Sequence, residues 1–273
     1  MEINRLKCTQ CGLCEEICIR KNIKIVDFLI GDYCFHCYHC MAICPKGAIT
    51  DNGEISKPMQ NFNIKPIDFE NLILNKRSNR MFSKKEVSKK DLQKIAEFLR
   101  FSPTGTNTQK LHMTVIGSKN KVQELSKLAI KSFIFKKRLL FIFLPLIIML
   151  FGFKRSFRIL KLGKFLEQYK NGEDILTYNA PGIFIFHCPK TASTPEQDGV
   201  IASTIATLYA ETLGFATCFN GILVQGINLS PKIKRHLDIP RKHKVYSTFL
   251  LGYPKYKFSR TVLRKKANYN IIS

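Results

Sequence analysis

Residues 8–18, CTQCGLCEEIC, and residues 34–44, CFHCYHCMAIC, decide how this chain is read. Cys8, Cys11, Cys14 and Cys18 recur as Cys34, Cys37, Cys40 and Cys44, each displaced by 26 residues. The unit is a duplicated C-x2-C-x2-C-x3-C, and Pro45 follows the second copy. Three thiolates so close in sequence can wrap three corners of one cubane, while the fourth corner needs a thiolate from elsewhere in the fold. In runs of this spacing the fourth cysteine ligates the other cluster. The spacing therefore leads us to expect Cys8, Cys11, Cys14 and Cys44 around one [4Fe–4S] cluster. Cys34, Cys37, Cys40 and Cys18 are expected around a second.

A pair of structural zinc sites is the competing reading. Zinc commonly uses paired hooks separated by a longer spacer, and a third cysteine three residues on is unusual there. With all eight positions in register, residues 1–58 resemble the two-cluster bacterial ferredoxins. Gly12 and Gly47 fit backbone packed close to sulfide, and Ile17, Ile43 and Ile49 are candidates to keep water from the clusters. His36 and His39 sit between ligands, where they are either surface residues or modifiers of the potential. The first run ends Cys18-Ile19 instead of Cys-Pro, a local departure in turn geometry. The resemblance implies a module that moves single electrons and has no substrate pocket, so their destination is expected in the rest of the chain.

Outside these runs the 273 residues contain only Cys188 and Cys218, both expected as buried small apolar residues. Met1 to Cys8 lack the apolar stretch of an export signal, which gives a cytoplasmic expectation in which clustered thiols serve metal. Hydrophobic residues at 45% and charged residues at 23% support a folded core and exclude wholesale disorder. The 44 Lys and Arg and 20 Asp and Glu are unevenly placed: residues 1–58 are formally neutral, so the net +24 belongs to 59–273. That break marks a boundary between a cluster domain over 1–58 and a larger domain over 59–273, with 53–66 as linker. Basic residues crowd 131–170 and 231–266. Such a surplus first suggests nucleic acid or an anionic membrane. No nucleic-acid motif accompanies it, and solvated lysines spread over every face account for it too, so nucleic acid is the disfavoured partner.

Within 59–273 an apolar stripe at Val87, Leu92, Ile95, Phe98 and Leu99 predicts a helix over 86–100, ended by Ser102-Pro103-Thr104-Gly105. A strand is expected at 112–117 and a helix at 119–131. Buried strands are expected at 183–187 and 245–251, with a helix from Asp198 to Leu213 between them. Ala202, Ala206 and Ala210 give that helix a face for close approach. The sum is an α+β layered fold. Neither G-x-G-x-x-G nor G-x-x-x-x-G-K-[ST] occurs, so no Rossmann or P-loop site is signalled. Lys76-Arg77-Ser78-Asn79-Arg80, just before the first helix, groups cations around a hydroxyl, a chemistry suited to phosphate.

That stretch is followed by Ser102-Pro103-Thr104-Gly105-Thr106-Asn107-Thr108-Gln109, by Leu213 to Gly221, and by the basic segment Arg260 to Lys266. In this order the segments resemble the nitroreductase family of FMN enzymes, over about 65–270 apart from an insertion. The resemblance implies an α+β sandwich, an intertwined homodimer, and FMN at the subunit interface. It implies that Lys76, Arg77, Ser78 and Arg80 contact the FMN phosphate and pyrimidine edge. By the same resemblance Pro103, Thr104, Gly105 and Asn107 reach the flavin of the opposite subunit, Asn220 and Gly221 lie along the isoalloxazine, and Arg264 with Lys265 completes the phosphate site. Lys76 replaces the usual first Arg, which keeps the charge and loses the bidentate fork. Lys110-Leu111 replaces Pro-Trp, a difference on the substrate side of the pocket.

The insertion centres on residues 139–153, LLFIFLPLIIMLFGF, flanked by basic residues. Fifteen helical residues are shorter than a bilayer core, and Pro145 would kink them. A lid over the flavin, a peripheral membrane contact and a true span all stand open. The leading expectation joins the parts. Two [4Fe–4S] clusters take single electrons from a low-potential donor such as ferredoxin and pass them to FMN, which reduces a small organic acceptor of nitro, quinone or enone type. The alternative is a non-catalytic electron-transfer or redox-sensing subunit that docks an acidic or membrane partner.

Overall fold

Residues 1–142 and 173–272 are described by the structure, a computed structural model, and they fall into two units. The first comprises Met1–Ile64 with Gly105–Thr108, and the second Lys65–Thr104 with the chain from Gln109 onward. The apolar segment expected at 139–153 lies outside the described residues from residue 143 on, as does most of 131–170. Among the described residues no helix is long and apolar enough to cross a membrane.

In the first unit the 26-residue repeat of the sequence is also a repeat of backbone conformation. Gln10, Gly12 and Lys21 take left-handed φ, and so do their counterparts His36, Tyr38 and Gly47. Gly12 (φ 78) begins α1 (Leu13–Glu16) at no steric cost, and a side chain there would meet nothing within 4 Å. That left-handed backbone favours glycine whatever the space around it, and Gly12 also lines the cavity of Cys8, Cys11, Cys14 and Cys44. Tyr38 (φ 62) starts α2 (His39–Ile43) in the same conformation with a side chain, a strain of about 1 kcal/mol or more. Its hydroxyl is tied to Asp51 Oδ2 at 2.7 Å. Two short antiparallel pairs complete the unit: β1 (Glu2–Ile3) with β4 (Ile49–Thr50), and β2 (Ile23–Lys24) with β3 (Leu29–Ile30).

The second unit opens with α3 (Pro66–Asn75), which starts at the end of the stretch expected as linker. Then come α4 (Lys89–Phe98), β5 (His112–Ile116), α5 (Lys119–Ile142), β6 (Gly182–Pro189) and α6 (Pro195–Thr212). The chain continues through β7 (Ala216–Phe219), α7 (Gly221–Leu229), α8 (Pro231–His236) and β8 (His243–Gly252). The sheet order is β5-β6-β8-β7, with every neighbour antiparallel. Both faces of the sheet are covered, so β6 reads as a continuous apolar run and does not alternate. Phe184, Phe186, Phe249 and Leu251 pack with α4 and α6, while Ile183, Ile185, Val245 and Leu250 pack with α5, α7 and α8. The result is an α+β sandwich. Ala202, Ala206 and Ala210 are fully buried along α6, which ends at Gly214 (φ 81), where the Phe215 N–H returns to the Ala210 carbonyl.

Candidate functional site

The eight clustered cysteines divide between two cavities of the first unit. Cys8, Cys11, Cys14 and Cys44 line one, together with Ile3, Ile25 and Ile49. Cys18, Cys34, Cys37 and Cys40 line the other, with Ile23 and Ile30. Ile17 and Ile43, expected as shields, line neither. Backbone N–H groups point at the sulfurs in repeated pairs. Gln10 donates to Cys8 Sγ at 3.4 Å and its counterpart His36 to Cys34 Sγ at 3.3 Å; Asn22 donates to Cys18 Sγ at 3.4 Å and Ala48 to Cys44 Sγ at 3.3 Å. Such donors favour the thiolate. His39 Nδ1 stands 3.2 Å from Cys37 Sγ. Burial pushes the Cys14 thiol up and the Cys40 thiol up to about 11. Ligation there must displace a proton. Among the described residues no three His, Cys, Asp or Glu side chains converge closely enough to hold a single ion. A cubane is larger than an ion and is gripped at its corners, and four thiols around an apolar cavity with inward N–H groups suit such a group.

In the second unit Lys76 to Arg80 run beside the edge strand β7. Ser78 pairs in parallel with Thr217, and the Asn79 N–H donates to the Thr217 carbonyl at 2.9 Å. An extended chain sends alternate side chains to opposite sides. Lys76 Nζ donates to Thr217 Oγ1 at 3.3 Å and lies 5.5 Å from the Phe219 ring, and the Arg80 guanidinium lies 5.9 Å from the Tyr178 ring. Arg77 and Asn79 instead line a cavity of about 360 Å³ with Glu211, Ala216, Pro254 and residues 256–261, Arg260 included. The structure thus separates Arg77 from the Lys76, Ser78 and Arg80 side of the stretch. Arg77 donates to the Leu74 and Lys76 carbonyls at 2.6 Å. Its Nε and Glu211 Oε2 are buried without hydrogen-bond partners among the described residues.

Burial holds the Lys76 amine below its ordinary value, with Glu211 and Cys218 pulling it back up. Burial raises the Glu211 carboxyl, opposed by Lys76 and Arg77. Burial also raises the Cys218 thiol, against Arg80 and Lys76. Lys76 and Arg77 thus face one half-buried carboxylate while Arg80 stands near Cys218, and the surplus of fixed positive charge and donors fits a phosphate-bearing ligand.

The remaining expected residues are distributed differently. Asn220 is buried and caps α7: its Oδ1 accepts from the Leu223 N–H at 3.0 Å and its Nδ2 donates to the Leu176 carbonyl at 2.6 Å. Both ends of the amide are engaged inside the protomer, which leaves Gly221 as the surface of this turn; a Cβ there would meet nothing within 4 Å. Thr104 Oγ1 accepts from the Gln109 N–H at 3.0 Å, and Pro103 is exposed. Gly105–Asn107 form a tight turn grouped with the first unit, where Asn107 Nδ2 donates to the His36 carbonyl at 2.5 Å. Arg264 and Lys265 are exposed on the tail that follows β8. Sequence reasoning missed Tyr178, Thr217 and Glu211. Glu211 carried a faint signal, an acid one residue before the end of a helix that leads into the glycine stop.

A nitroreductase-family model matches residues 73–253. Among solved structures the chain is similar to a nitroreductase with bound FMN from Bacteroides fragilis NCTC 9343 (20% identity, 76% of this chain and 99% of that one, TM-score 0.53). It is also similar to one with bound FMN from Desulfitobacterium hafniense DCB-2 (20% identity, 75% and 97%, TM-score 0.54). No curated protein sequence matches it. At this identity the structures speak for the fold alone, while the family model spans well over half of the sequence: the chain belongs to the nitroreductase family.

Proposed function

We propose that this chain is an iron–sulfur flavoprotein oxidoreductase that feeds single electrons to an FMN-dependent nitroreductase-type site. The observation that carries the reading is the pair of four-cysteine cavities in a chain whose larger part belongs to a flavin-enzyme family. Cys8, Cys11, Cys14 and Cys44 would hold one [4Fe–4S] cluster, and Cys34, Cys37, Cys40 and Cys18 the other. The B. fragilis and D. hafniense relatives hold FMN, and the cation surplus at 76–80 is suited to the same nucleotide. Bound FMN exchanges electrons singly or in pairs, which joins one-electron carriers to two-electron chemistry.

The chain's own residues do the rest. Ser78 and Lys76 bind the phosphate, and Arg80 holds positive charge where negative charge grows on reduction. Gly221 leaves room for a flat ring. A homodimer is part of the proposal: Ile67, Phe69, Ile73 and Leu74 of α3 and Leu263, Ile271 and Ile272 of the tail are exposed apolar side chains that a second copy would cover. In that dimer Pro103, Thr104, Gly105 and Asn107 would approach the partner's flavin, and Arg264 and Lys265 would complete the phosphate site. The donor is a reduced low-potential protein such as ferredoxin, because a built-in single-electron relay serves no purpose for a two-electron nicotinamide donor. The acceptor is a small nitro, quinone or enone compound. An anaerobic comparison of reduced ferredoxin with NADH and NADPH tests this: fast turnover with ferredoxin alone is expected. Rapid flavin reduction by NAD(P)H after cluster removal would refute the donor, and reduction without turnover of any acceptor would leave an electron-transfer subunit.

A further inference from the structure

Three of the six histidines meet at one rim of the sheet of the second unit. His112 opens β5 directly opposite His187 of β6, and His243 opens β8 opposite Pro189. His187 Nδ1 lies 2.9 Å from His243 Nδ1, and its Nε2 lies 3.1 Å from Thr114 Oγ1. The His112 ring centre stands 5.9 Å from that of His187 and 5.0 Å from that of His243. Lysines crowd the same rim. Lys234 Nζ donates to the His243 carbonyl at 2.8 Å, Lys244 is the next residue of β8, and the Lys190 N–H reaches the Lys242 carbonyl at 3.5 Å. The acid beside them is Glu196, 3.5 Å from Lys244 and well exposed, where an ion pair is weak.

The groups repel one another's charge. Burial holds Lys234 down and Lys190 and Lys244 add to it. Burial, His243, His112 and Lys234 bring His187 down to about 4, and burial, His112 and Lys234 lower His243. Along β8 the rim stands apart from Asn220. The Asn220 N–H bonds to Thr248, five residues along β8 from His243, roughly 16 Å at the rise of a strand.

We propose that this rim binds a doubly charged phosphate-type anion, with Lys190, Lys234, Lys244 and the exposed His112 as contacts and the His187–His243 pair beneath as proton acceptor. Burial and the neighbouring cations keep the imidazoles neutral, and an anion there opposes the cations, so binding draws in protons. No covalent bond changes.

Calorimetric titration of the purified holo-protein with inorganic pyrophosphate, in two buffers of different ionisation heat, reads affinity and proton uptake together. Saturable binding is expected, weakened about tenfold or more in Lys190→Gln and in Lys234→Gln. It should be unchanged in Lys94→Gln of α4, and proton uptake should be smaller in His243→Gln. Lys190 is exposed, so its variant keeps the test valid where Lys234→Gln disturbs the fold. No saturable binding, or equal weakening in Lys94→Gln, overturns the proposal. So does binding of anionic vesicles or an oligonucleotide with pyrophosphate inert, which would assign the rim to a membrane or a nucleic acid.

Discussion

Cys8, Cys18, Cys34 and Cys44 each accept an N–H from a residue two or four positions on, so each sulfur is oriented by its own turn. Loss of one thiol should then spare the other set of four. Cys14→Ser is expected to lower iron from about eight to about four per chain. Iron and sulfide analysis checks this, and unchanged iron would contradict the ligand assignment. At the proposed flavin site, Arg80→Ala should weaken FMN about tenfold or more, the loss of a charge-assisted hydrogen bond. Arg77→Ala should weaken it less, because Arg77 lines the other cavity. Fluorescence titration with FMN separates the two variants. The sequence placed Lys76, Arg77, Ser78 and Arg80 in one motif, and motif spacing carries no information on which side of an extended stretch a side chain leaves; that needed the Ser78–Thr217 pairing. His187 supplies a third prediction. Its folded-state value, about 4, lies below the ordinary 6.5. The stability it contributes is therefore full above pH 6.5 and declines as pH falls toward 4, by at most about 3 kcal/mol. Denaturant midpoints of wild type and His187→Gln should differ by a constant amount above pH 6.5, with the wild type losing ground as pH falls from 6.5 toward 4; a difference that stays constant across that window would contradict this.

Among the elements, those with strong periodicity were legible and those defined by their ends were not. β6 and β8 show as apolar runs because the sheet is covered on both faces. α4 shows through its stripe, and Ser88 Oγ caps it by accepting from the Asp91 N–H at 3.0 Å. α6 was read from Asp198, yet it starts at Pro195, a residue preorganised for a first turn. α7 was hidden because Asn220-Gly221 matched a ligand motif, while Asn220 also opens a helix. α3 was not expected: it begins at Pro66, where the stretch expected as linker ends, and no motif or stripe singled out 67–75. The capping role makes Asn220→Ala a test of the element: it should cost about 1–2 kcal/mol of stability in thermal melts. A loss of FMN affinity at unchanged stability would instead assign the side chain to the flavin.

For the whole molecule, the structure divides the chain into Met1–Ile64 with Gly105–Thr108 and the remainder, and no pattern in the sequence announced that Gly105–Thr108 groups with the first unit. The cysteine register stood out because a rigid cluster would fix ligand spacing within a short run, whereas the proposed flavin site draws on segments far apart in sequence. The proposed dimer should appear in sedimentation as twice the 31.4 kDa chain. Charged residues introduced at Phe69 and Ile73 should yield monomers with weakened FMN binding. The most direct test of the relay is rapid anaerobic mixing of reduced ferredoxin with FMN-loaded protein, wild type against a Cys14→Ser, Cys40→Ser double variant that retains FMN. Fast bleaching of the flavin band in the wild type and its loss in the variant is the predicted result. Equal rates in both proteins would contradict the claim that electrons reach the flavin through the cysteine-bound clusters.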